Sequence, residues 1–139
     1  MANEWTKVEL YGANNDGTPR RYTIANATSV SKGQLLSLID PRTVGGGAAS
    51  AAAVAGVASE DHLANQGITS ISVWTDGIFE AVAYDAIGVG AGIMAAGGGN
   101  KVLALDVASA ASIQFGTGCF GYSLEAAEAA ETVNVRLQV

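Results

Sequence analysis

The sequence predicts an all-β fold: one compact domain, barrel or sandwich-like, with glycine-rich loops and at most one short helix. Two stretches carry the clearest signal. Ile68 to Trp74 and Thr132 to Val139 alternate with the period of two that a half-buried strand requires. Composition is the second indication: 18 glycines and 26 alanines among 139 residues, with 14% charged and 6% aromatic, leave an apolar fraction made mostly of small side chains. The length fits a single domain with a real core.

Taken in order, residues 1–26 read as an amino-terminal arm or hairpin, with a short run Trp5 to Tyr11, the polar turn ANNDGTP, and a second run from Arg21 to Ile24. SVSKGQLLSLIDP follows as strand, turn and strand, with Lys32-Gly33 at the turn and Asp40-Pro41 as the stop. GGGAASAAA, Gly45 to Ala53, is a loop unless a partner orders it, because its side chains are too small to offset the entropy of ordering. In Ile68 to Trp74, Ile68, Ser70, Ser72 and Trp74 share one face and Thr69, Ile71 and Val73 the other. Asp76-Gly77 then reads as the two-residue turn of a hairpin returning through Ile78 to Tyr84. AIGVGAGIMAAGGGNKVLALDV gives two short strands around a glycine-rich tip. SLEAAEAAE is either one or two helical turns or a surface connection. Thr132 to Val139 closes the chain with Val133, Val135, Leu137 and Val139 on one face.

Two loose internal matches accompany this order. Val30-Ser31-Lys32-Gly33 before Leu35-Leu36 is echoed by Ile87-Gly88-Val89-Gly90 before Ile93-Met94, and AGVASE from Ala55 by FGYSLE from Phe120. A duplication into two similar β-lobes is one reading of them. Chance matching in a glycine-rich chain is the other.

Seven basic and 13 acidic residues give a net charge of −6, which argues against nucleic acid and against an anionic membrane surface as partners. The apolar run from Ala86 to Gly99 is too short and too rich in glycine to span a bilayer as a helix. MANEWTKVELYGANNDG has charge and amides where a secretory signal needs an apolar run, so synthesis without such a signal is expected.

The inventory for catalysis is thin. His62 is the one histidine and sits in a polar context that favours a solvated or locally bonded ring. Cys119, in the uncharged FGTGCFGY, is expected to be a buried structural cysteine. Asp76 with Glu80 and Glu60 with Asp61 are explained by turn, strand and loop positions. The glycine runs lack the strand-to-helix context and the Lys-Ser/Thr of a phosphate-binding loop. No catalytic, cofactor-binding or metal-ligating set is expected, nor a small-molecule substrate. Three stretches, Gly45 to Ser59, Ala86 to Asn100 and Val107 to Leu124, carry no charge. One small core does not bury so much chain, so contact with other protein surfaces is expected.

The ordered phrases ATSVSKGQLLSL, AGVASED, ISVWTDGIFEAVA, AIGVGAGI and FGYSLEAAEAAETVNVRLQV resemble the small head-decoration proteins of bacteriophages, also called capsid-stabilising or cement proteins. The resemblance covers roughly residues 27–139, which become the β-rich decoration domain. It implies a non-enzymatic subunit, made in the host cytoplasm, that trimerises on the outer surface of the expanded head and clamps neighbouring major capsid protein subunits. Residues 1–26 lie before it and supply the candidates for the capsid contact, Trp5, Tyr11, Arg20, Arg21 and Tyr22, residue types that dominate interface hot spots. Simple core packing is the competing role for Trp5. Alternative readings are another self-assembling virion part, such as a tail-tube or head-completion component, and a carbohydrate-binding β module seeded by Trp74 and Tyr84.

Overall fold

The computed structural model describes residues 3–10, 19–47, 53–97, 100–104 and 119–138. These residues hold eleven strands and no α-helix. β2 (Arg20–Ile24), β3 (Leu35–Asp40), β4 (Thr43–Gly46), β5 (Val54–Ala58) and β6 (Ser70–Trp74) close a five-stranded barrel in the order β2-β4-β3-β5-β6. β7 (Asp76–Ala83), β8 (Gly92–Ala95), β9 (Lys101–Ala104), β10 (Gly121–Ser123) and β11 (Thr132–Gln138) run β7-β11-β10-β8-β9, and β9 returns to β7 to close a second ring. β1 (Thr6–Leu10) lies along the first half of β7, opposite Gly77 to Glu80, and β9 takes the next part of that edge, at Val82 and Ala83. Closure leaves few unpaired strand edges, which such short strands could not protect alone.

The two barrels are one pattern written twice. β2 through β6 correspond in order to β7 through β11, and every pairing recurs in the same sense. The closing pairs β2–β4 and β7–β9 are parallel, and the other four in each barrel are antiparallel. Connections repeat as well. Val30 and His62 form an isolated antiparallel bridge, as do Ile87 and Ala127. Glu60 accepts from the Ser72 N–H and Glu125 from the Asn134 N–H, each at 3.0 Å. The duplication suggested by the sequence matches is thus present in the topology, and both matched segments fall in register.

The matched Gly56 and Gly121 show why that register is kept. A Cβ on Gly56 would collide with the carbonyl oxygen of Trp74, and one on Gly121 with that of Arg136, so each glycine admits the neighbouring strand of its own barrel. Gly121→Ala should therefore lower stability by roughly 1–3 kcal/mol. Gly88→Ala, with nothing within 4 Å of its Cβ position, serves as the control and should shift a urea midpoint little.

Alternation is observed where it was expected. Ile71 and Val73 in β6, and Val133, Val135 and Leu137 in β11, are fully buried. One apolar cluster fills the first barrel with Ile24, Leu36, Val44, Ile71 and Val73. The larger cluster fills the second and crosses between them, joining Leu35, Val57 and Trp74 to Trp5, Phe79 and Phe120. Leu35 and Leu36 are neighbours in sequence that serve different clusters, as successive strand residues do.

Two local expectations change, and one left open is resolved. Asp76-Gly77 is not a hairpin turn, because β6 and β7 belong to different barrels and only the buried Thr75 separates them. Both edges of β6 are taken by β2 and β5, while Gly77 lies inside β7 opposite Leu10 and Leu137. β1 and β2 pair with β7 and with β4 and β6, not with each other, and most of the turn between them lies outside the described residues. SLEAAEAAE is a surface connection anchored at Ala127 by its bridge to Ile87.

Candidate functional site

The residues with the most elaborate contacts lie where β1, the first barrel and the second meet. Asn100 is the centre of this junction. Its side-chain oxygen accepts from the Leu35 N–H at 2.7 Å, and its amide donates to the carbonyls of Asn3 and Gly33 at 2.9 and 3.0 Å. Its own carbonyl accepts from the Trp5 indole N–H at 3.2 Å, and the Trp5 N–H donates to Gly33 at 2.8 Å. One asparagine thus joins the amino-terminal segment, the turn before β3 and the start of β9. It holds φ +59°, a left-handed conformation that asparagine tolerates better than most residues.

Beside the junction, an open cleft of about 270 Å³ is lined by Trp5, Thr6, Lys7, Lys32 and Trp74. Trp74 forms its wall, edge-tilted against Phe79 at 5.7 Å between centroids. The Lys7 and Lys32 ammonium groups stand 5.6 and 5.8 Å from the centroid of the Trp74 ring, within cation–π range. Neither lysine forms an ion pair among the described residues, in contrast to Arg21, which pairs with Glu60, and Arg136, which pairs with Asp76. The adjoining carboxylates have other partners. Asp61 accepts from the Lys32 backbone N–H at 2.7 Å, and a hydrogen bond from its own backbone N–H helps hold the Glu4 carboxyl below the usual range.

The residues singled out from sequence separate in space. Trp5 is 3% exposed and packs its ring against Phe79 and Phe120. Arg20 and Arg21 are exposed on β2, and Tyr22 is half-buried against the first-barrel core. Arg21 is braced along its own sheet by the hydroxyls of Ser72 and Ser70 at 3.0 and 2.5 Å and by Glu60 at 3.7 Å. Arg42 donates to the Arg21 carbonyl at 3.1 Å, which brings a further arginine beside β2. Tyr11 lies outside the described residues. Trp74 is nearly buried and Tyr84 is exposed.

Cys119 corrects its expectation: it is exposed ahead of β10, and the adjacent Phe120 is the buried residue. Asp76 is a strand residue paired with Arg136 rather than a turn residue. His62 is 3% exposed, with Nδ1 2.6 Å from the Thr28 carbonyl and Nε2 2.7 Å from that of Ile68. A carbonyl only accepts, so each of these contacts is a hydrogen bond when that ring nitrogen bears the proton. Its role is to tie the β2–β3 connection to the β5–β6 connection. His62→Ala should cost about 2–3 kcal/mol through the cavity it leaves and the two part-buried hydrogen bonds it removes, read as a lower urea midpoint.

No protein-family model and no curated protein matches this sequence. Among solved structures, the fold is similar to the N base of the head fiber protein gp8.5 of bacteriophage phi29. The TM-score is 0.53 and the identity 17%, over 86% of this chain and 92% of that one. At that identity the likeness is one of fold, and it spans both barrels rather than one.

Sequence reading missed Asn100 and the paired lysines. Asn100 follows a run of glycines, and nothing beside it in the sequence indicates a partner at Leu35. Lys7 and Lys32 are 25 positions apart and converge only because β1 crosses to β7 while the Lys32 turn stays with the first barrel.

Proposed function

We propose that this protein is a non-enzymatic structural component of a bacteriophage virion. It attaches as a homotrimer to the outer surface of the expanded head and stabilises it by bridging neighbouring major capsid protein subunits. The observation that carries this reading is the double-barrel fold shared, nearly end to end, with the base of a phage head fiber. The resemblance of residues 27–139 to head-decoration proteins points the same way. A subunit that binds only the assembled lattice lowers the free energy of that state by linkage, and three joined copies bind more firmly than one because each engaged contact raises the effective concentration of the others.

Within residues 1–26 the capsid contact falls to Arg20, Arg21 and Tyr22, with Tyr11 beside them in sequence. Trp5 serves it indirectly by fixing β1. Arg20 has the freest guanidinium of the group, since Arg21 is already braced by Ser70, Ser72 and Glu60. A carbohydrate-binding role finds less support, because the ring of Trp74 is nearly buried and lies beneath two lysines.

The test is saturable binding of the purified chain to expanded heads lacking it, with head melting and the mass of the free chain measured alongside. Binding that raises the melting temperature, with a free mass of three chains, supports the proposal. Arg20→Glu should weaken binding about tenfold without altering the chain's own melting. Absence of binding, or a free ring of six or more chains, overturns it in favour of a tail or connector component.

A further inference from the structure

Two ammonium groups within cation–π range of one tryptophan ring, neither paired with a carboxylate among the described residues, form a site that attracts an anion. The charges repel each other across a small cleft, and Trp74 compensates only through its quadrupole. In a chain of net charge −6 such a concentration of positive charge is unusual.

The chain carries the complementary charge elsewhere. Residues 19–75 hold four basic and three acidic side chains, while residues 76–138 hold two basic and seven acidic ones. The duplication has therefore produced one nearly neutral barrel and one acidic barrel. On the acidic barrel the connection from β10 to β11 presents Glu125, Glu128 and Glu131. Glu125 accepts from the Asn134 N–H and Glu131 from the Glu128 N–H, at 3.0 and 2.9 Å. The Glu128 carboxylate is exposed and has no partner among the described residues.

We infer that the Lys7–Lys32–Trp74 cleft receives the Glu128 carboxylate of a second copy of this chain. The cleft and Glu128 are different patches, so the contact is head-to-tail, and repetition closes a ring when the rotation per subunit allows it. A trimer is one such ring. The inference rests on the self-association in the proposed function and not on attachment to a head.

Sedimentation velocity on the full-length chain tests it. Wild type should form oligomers near 50 mM salt and dissociate toward 500 mM, roughly a threefold drop in screening length. The double variant Lys7→Glu/Lys32→Glu and the single variant Glu128→Lys should each associate at least about tenfold more weakly at low salt, with unchanged circular dichroism and melting. Combining all three substitutions in one chain restores opposite charge at every contact, whatever the number of subunits in the ring, and should restore association. Each of three results overturns the inference: a wild-type monomer throughout, variants that associate as wild type does, or a triple variant that stays dissociated. A chain that sediments as a monomer yet saturates heads would overturn this inference alone and leave the virion role standing.

Discussion

Trp5→Ala should destabilise the protein by about 3–5 kcal/mol, the usual cost of removing a large aromatic side chain from a packed core. The indole lies where the two barrels and β1 share one apolar cluster, with ring centroids 6.2 Å from Phe79 and 5.8 Å from Phe120. Its loss opens a cavity that β1 cannot fill by moving inward, because β1 is fixed to β7 from Thr6 onward. It also removes the N–H that donates to the Asn100 carbonyl. Trp5→Phe retains most of the ring contacts and loses that hydrogen bond, so it should cost less, on the order of 1–2 kcal/mol. Urea denaturation followed by the fluorescence of Trp74 reads both. An unchanged midpoint for Trp5→Ala would mean that the aromatic cluster does not hold β1. The same pair separates core from contact: the Trp5 variants change melting, whereas Arg20→Glu changes head binding and leaves melting alone.

What the sequence conveyed follows from which interactions are local. Alternation in Ile68 to Trp74 and Thr132 to Val139 is set by the strand's own period, and the face of Ile71 and Val73 and that of Val133, Val135 and Leu137 are buried, with Trp74 buried from the other side of β6. The duplication was legible through Gly56 and Gly121, because a strand approaching within the space of a Cβ tolerates no side chain in either copy. Asp76-Gly77 misled because its composition suits a tight turn, yet whether β6 meets β7 depends on which other strands have taken the edges of β6. Cys119 was misplaced for a related reason. An uncharged segment shows that apolar burial is near, but not which of two adjacent residues faces inward, and here it is Phe120. The lysine pair and the Asn100 junction arise from contacts 25 to 97 residues apart in sequence, where composition and spacing carry no signal.

Asn100→Ala should cost about 3–5 kcal/mol, from two sources that a mutant series separates. The first is hydrogen bonding. The Leu35 N–H is buried and its acceptor is the Asn100 side chain, so truncation leaves a donor without a partner, while the Gly33 carbonyl keeps the Trp5 N–H. The second is conformation, since alanine at φ +59° meets a penalty that asparagine partly escapes. Asn100→Gly removes the conformational penalty and retains the hydrogen-bond loss. It should therefore recover about 1 kcal/mol relative to alanine. Asn100→Asp keeps the acceptor for Leu35 but loses the two N–H donors and places a carboxylate oxygen against the carbonyls of Asn3 and Gly33. Its deficit should shrink as pH falls and the carboxyl protonates, because the protonated group can again donate. A stability difference from wild type that stays constant from neutral to acid pH would mean that the amide's bonds to Asn3 and Gly33 contribute little. The junction would then rest on Trp5 and Leu35 alone.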